Sequence, residues 1–104
     1  MTGAERVYYV VEMIVPYASL DEARQQAPQT LAEHVQRSRW LHDDGDVLLA
    51  GAFLEPEASD GHLRTMAVCR SQEAAERFVA GDPFVRAGIV REHRIRAWAN
   101  MFAR

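Results

Sequence analysis

Lysine is absent from this chain, and all twelve basic residues are arginine. With no ε-amine to form a Schiff base, imine-forming aldolase and pyridoxal chemistry are removed. Cysteine is almost absent as well. Cys69 stands alone, which excludes an intrachain disulfide and any multi-cysteine zinc site. Neither sign of charge is in large excess. A net charge of −3 argues against nucleic acid, whose phosphates require a basic surface. Arg64, Arg70, Arg91, Arg94 and Arg96 fall in strand-like segments and could form no more than a local stripe. There is no long hydrophobic run. Met1 to Glu5 is polar, and the apolar run after Arg6 is interrupted by Glu12 and stopped by Pro16. No signal peptide or membrane span is expected, and the cytoplasm is the expected location. No glycine-rich phosphate loop occurs, so no nucleotide cofactor is expected.

What is present is a chain of 104 residues, 48% apolar, which predicts one globular domain over residues 1–104. Arg6 to Val15, rich in β-branched and aromatic residues, reads as a first strand. Pro16 ends it. Ser19 followed by Glu22 matches a capping box, and a helical stretch begins at Leu20, broken or restarted by Pro28. From Gln29 to His42, one helical face carries Leu31, His34, Val35, Ser38, Leu41 and His42, while Trp40 points the other way. Val47 to Leu54 and Leu63 to Arg70 read as strands two and three, an antiparallel hairpin across a polar loop. Ser71 caps a second helix that Gly81 is placed to end, with Ala74, Ala75, Phe78 and Val79 facing inward. Asp82-Pro83 has the form of an N-cap and first helical residue, and Phe84 to Ala87 is one short turn. Ile89 to Trp98, with five charged or titratable residues counting His93, suits an edge strand.

This β-α-β-β-α-β order predicts an α+β ferredoxin-like antiparallel sheet with both helices on one face. Strands one and two are apolar on the other face too, and a bare apolar sheet exceeds what monomers tolerate. A second copy of the chain is the simplest cover. We therefore expect a homodimer through the open sheet face, with Trp98, Met101 and Phe102 reaching to the partner. Trp40, off the core face of its helix, is either partly exposed or a further subunit contact, the second reading being preferred.

The residues are open to two readings at each candidate position. His34 is either a core histidine satisfied by Ser38 or a backbone carbonyl, or a general acid–base group, since imidazole titrates near neutral pH. Asp82 is at least an N-cap, and a carboxylate has acceptor sites left for a second role. His42 lies about 12 Å along the helix from His34, too far to share a metal. His62 and His93 sit on a loop and an edge strand, so no metal site is expected. Glu55, Glu57 and Asp60 read as a solvated loop, and Cys69 as buried filler.

The chain resembles the YCII-related family. The matching strings are HVQRSRWLHDDG (His34 to Gly45), LLAG (Leu48 to Gly51), SQEAA (Ser71 to Ala75), DPFVRAG (Asp82 to Gly88) and IRAW (Ile95 to Trp98), in that order. The resemblance implies a dimeric α+β barrel of ferredoxin-like subunits. It also implies an active-site pair formed by a helix-one histidine and an aspartate before proline, here His34 and Asp82. Family chemistry includes elimination of chloride from a chlorinated hydroxyquinol. Two positions depart from the family pattern. Leu31 stands where an arginine is common, three residues before the histidine. Ala52-Phe53 follows Gly51 where Gly-Pro is common, which changes the pocket mouth.

The expected function is thus a cofactor-free enzyme of elimination or isomerisation type, a lyase or dehalogenase or an isomerase. Its substrate is a small organic molecule, phenolic or lactone-like. His34 moves the proton and Asp82 orients it, in a pocket between helix one and the sheet lined by Tyr9 and Phe53. The alternative is a non-catalytic ligand-binding or dimerisation module, with a structural His34 fully enclosed and Asp82 as a cap. A cofactor-independent oxygenase is a third reading, resting on fold analogy alone.

Overall fold

A computed structural model describes residues 6–55 and 60–102. Strand β1 is Arg6–Val15. Helix α1 (Leu20–Gln26) opens on Ser19, whose hydroxyl accepts the Glu22 N–H at 3.1 Å, while the Glu22 carboxylate reaches back to the Ala18 N–H at 2.5 Å. Pro28 does restart the helix. Ala27 leaves helical geometry at φ −138°, and helix α2 (Pro28–Asp43) begins with the proline in its first turn. Its end is closed by Gly45 at φ +85°, a left-handed conformation that disfavours side chains, with its N–H on the His42 carbonyl.

Strands β2 (Val47–Ala52) and β3 (Leu63–Cys69) form the expected antiparallel pair. Helix α3 (Gln72–Gly81) is capped by the Ser71 hydroxyl on the Ala74 N–H at 3.0 Å. The single-turn helix α4 (Pro83–Arg86) starts at Asp82, and strand β4 is Glu92–Asn100. Several boundaries differ from expectation: β3 ends at Cys69 rather than Arg70, and β4 runs on to Asn100. β2 stops at Ala52, and β4 begins at Glu92 because Ile89 and Val90 pack into the core before the strand pairs.

The sheet order is β2-β3-β1-β4 with every neighbour antiparallel, the ferredoxin-like arrangement. On one face of β1, Val11 and Met13 pack with Val47, Ala67 and Cys69 against Ala74, Ala75, Phe78 and Val79 of α3, while Val15 joins Tyr17, Ala23, Leu63 and Phe84 in a second cluster. Burying Phe78 contributes about 1.5–3 kcal/mol by area alone. By contrast, α2 has no fully buried residue. Leu31 and Leu41 pack against the core clusters from this helix, whereas Val35 between them remains 44% exposed.

The opposite face of β1 presents Tyr8, Val10, Glu12 and Ile14, with Trp98 beside Tyr8 at a ring separation of 6.4 Å. Glu12 sits among Arg94 (2.8 Å) and Arg96 (3.4 Å). Partial burial pulls its pKa upward, but the two arginines outweigh this and hold it below the ordinary carboxylate value. Four of the five strand-associated arginines stand against carboxylates. Arg64 meets Asp60, Arg70 meets Asp46, and Arg94 and Arg96 share Glu12, so no bare basic stripe forms from them. No helix among the described residues is long and apolar enough to cross a membrane.

Candidate functional site

Asp82 is placed by the break between two helices. Its extended backbone (φ −65°, ψ 131°) ends α3 and caps α4. Oδ2 accepts the N–H groups of Phe84 (3.0 Å) and Val85 (3.2 Å). Oδ1 points the other way and meets Nδ1 of His34, from the middle of α2. A carboxylate accepts, so the proton of this bond belongs on Nδ1, and in the neutral imidazole Nε2 is left with its lone pair. Asp82 is 1% exposed, whereas the His34 side chain is 21% exposed. The imidazole therefore stands between a buried carboxylate and open space.

That space is a cavity of about 260 Å³ between α2 and the sheet. Leu31, His34, Val35 and Ser38 line it from α2, and Ala50, Gly51 and Ala52 from β2. Phe78 and Phe84 flank the imidazole at ring separations of 6.2 and 5.5 Å. Among the described residues lining the cavity, His34 alone carries an ionisable side chain. Ser38 and Thr65 supply the hydroxyls. Ser38 lines the space, and the partner of His34 is Asp82 rather than that serine.

Tyr9 and Phe53 are not brought to this cavity, which corrects the expected lining. Tyr9 shares a sheet face with Met13, but four strand residues separate them by about 13 Å. It lines a shallow depression beside Arg70 and Ser71 instead. Phe53 follows Ala52, and strand alternation turns it to the opposite face. There it borders a separate 290 Å³ cavity with Glu12, Arg64 and Arg94. The small residues Ala50 and Ala52 were the missed signal: they leave room beneath the polar and apolar side chains of α2.

The remaining candidates fall elsewhere. His42 Nδ1 bonds the Val47 carbonyl at 2.8 Å, joining α2 to β2. Among the described residues no three His, Cys, Asp or Glu side chains are grouped as metal ligands would be. In the acidic loop, Asp60 is held by Arg64 and the His62 N–H, which bring its carboxyl down to about 2. Glu57 lies outside the described residues. Cys69 is buried, and burial with the nearby Asp46 charge pushes its thiol up to about 11, far from a nucleophile's range. Asp46 itself is buried and bonded by Arg77 at 3.0 Å and Arg70 at 2.8 Å.

Several solved structures share the fold. The dehydrochlorinase TftG from Burkholderia phenoliruptrix, which acts on 5-chloro-2-hydroxyhydroquinone and was solved with 2,5-dihydroxybenzoquinone, is 18% identical with a TM-score of 0.55 over 88% of this chain and 92% of that one. Rv0793 from Mycobacterium tuberculosis is 17% identical with a TM-score of 0.56, covering 93% and 97% of the two chains. A candidate antibiotic biosynthesis monooxygenase from Nitrosomonas europaea is 6% identical with a TM-score of 0.56, covering 98% and 97%. These are relationships of fold. Among curated proteins none matches the chain in sequence. The profile of the YCII-related domain matches residues 8–99, and the chain belongs to the YCII-related family.

Proposed function

We propose that this protein is a cofactor-independent enzyme in which His34 and Asp82 move a proton on a small neutral organic molecule. The supporting observation is the His34 ring: a buried carboxylate holds Nδ1, and the ring borders an apolar cavity. Nε2 is the base. It takes a proton from a hydroxyl or an activated C–H, and Asp82 stabilises the imidazolium that results. In an elimination the released electron pair expels a leaving group such as chloride, and proton and anion depart as HX. In an isomerisation the same proton returns to another atom.

The cavity indicates the substrate class. At about 260 Å³ it is smaller than the ~300–1,000 Å³ of drug-sized sites and suits a single substituted ring. Its lining offers no arginine, Leu31 included, so a phenol or lactone fits and a carboxylate anion does not. The rival non-catalytic reading requires an enclosed histidine with no space beside it, and His34 has that space. Turnover of chlorinated and plain hydroxyquinols by the native protein, H34A and H34Q tests the enzyme reading. A 10²–10⁴-fold loss in both variants is expected for a general base. Equal turnover in both contradicts it.

The same reading includes a homodimer formed through the open sheet face, where Tyr8, Val10, Ile14 and Trp98 have no helix over them among the described residues. It also includes a cytoplasmic setting. I14R places a charge on that face and should convert a dimer to a monomer in sedimentation velocity, with unchanged circular dichroism. A native monomer contradicts the assembly.

A further inference from the structure

We propose that Arg37 is the positioning residue of the His34–Asp82 pair, clamping α2 to the end of α3 so that imidazole and carboxylate are held together. The inference rests on the proposed His–Asp reading. Arg37 follows His34 by three residues and so shares its side of α2. Its guanidinium donates twice across the helix pair, from Nη1 to the Phe78 carbonyl at 2.9 Å and from Nη2 to the Arg77 carbonyl at 2.6 Å. These carbonyls lie toward the C-terminal end of α3, where a helix carries partial negative charge. Asp82 comes immediately after that end. The two groups of the pair thus sit on two helices that Arg37 ties together, within one turn of each partner.

Gly81 supports the clamp independently. It closes α3 with an ordinary helical backbone, so left-handed geometry does not explain a glycine there. Space does. A Cβ at this position would meet the head of Arg37, 2.7 Å from Cζ and 3.0 Å from Nε. The glycine opens the seat in which the guanidinium lies. Charge acts the other way on balance: burial, with Arg86, draws the Arg37 pKa below its ordinary value, and the Asp82 carboxylate offsets only part of this. A guanidinium keeps its charge through such pressures, and its planar fork matches two adjacent carbonyls in a way an ammonium cannot.

The test reads the Nδ1 proton of His34 by nitrogen-15 NMR, in native protein and in R37M and G81A. In the native protein this proton is expected to be bonded to Asp82 and protected from exchange with water. R37M removes both donors and keeps an aliphatic stem. G81A keeps the arginine, displaces its head, and favours the helix intrinsically. Both should lose about tenfold or more of the proton's protection while their backbone spectra stay native. R37K, with the charge but not the fork, should also lose it. Native protection in either folded R37M or G81A overturns the proposal, and should R37M not fold, G81A decides alone. The readout needs no substrate, so failed turnover leaves it standing. An unprotected Nδ1 proton in the native protein removes the His–Asp reading, and this inference with it.

Discussion

Asp82 divides its carboxylate between two partners: Oδ2 caps the helix at Phe84, and Oδ1 meets the imidazole of His34. The two functions separate by substitution. Asparagine is as good a cap as aspartate. D82N should therefore stay within about 1 kcal/mol of native stability, while its amide no longer favours the imidazolium and lowers hydroxyquinol turnover by about 10²–10⁴-fold. D82A should lose the cap as well, a further ~1 kcal/mol. Thermal melts beside turnover check this. Full activity in D82N contradicts the orienting role.

Cys69 should be inert in the folded protein. Its thiol is buried in mid-strand and pushed up to about 11, so almost no thiolate exists near neutral pH. We expect no labelling by a thiol-disulfide reagent at about pH 8 until denaturant unfolds the chain. Labelling of the native state at the rate of a free thiol contradicts this packing.

Asp46 gives stability a pH dependence on the acid side. The hydrogen bond from Arg77 outweighs burial, and with Arg70 it holds the carboxyl below its ordinary value. A lowered folded pKa contributes stability that is complete above the unfolded value and lost as pH falls through the folded one. The gap in melting temperature between native protein and D46N should therefore be widest above about pH 5 and close in stronger acid. A gap that does not change with pH contradicts the ion pairs.

Much of this architecture was legible in the residues. Ser19, Ser71 and Asp82 announce helix starts through side-chain oxygens that need only local neighbours. Pro28 and Gly45 mark a restart and a stop by sterics alone. The pairing of His34 with Asp82 came through the family resemblance, because a separation of 48 positions leaves no local trace of the contact. Tyr9 and Phe53 were misjudged for opposite reasons. Tyr9 lies on the correct face but too far along β1, and Phe53 lies near enough but on the wrong side of the alternation. Arg37 had no local signal, since its partners are backbone carbonyls of Arg77 and Phe78, which any residue provides.

In the proposed mechanism Nε2 of His34 acts on a molecule held in the cavity under α2. Titrating nitrogen-15-labelled protein with 5-chloro-2-hydroxyhydroquinone while observing the imidazole tests it most directly. A saturable shift of the Nε2 resonance is expected, with the Nδ1 proton kept in place and the response lost when Ala50→Trp fills the space. An Nε2 resonance unmoved at saturating hydroxyquinol would contradict it.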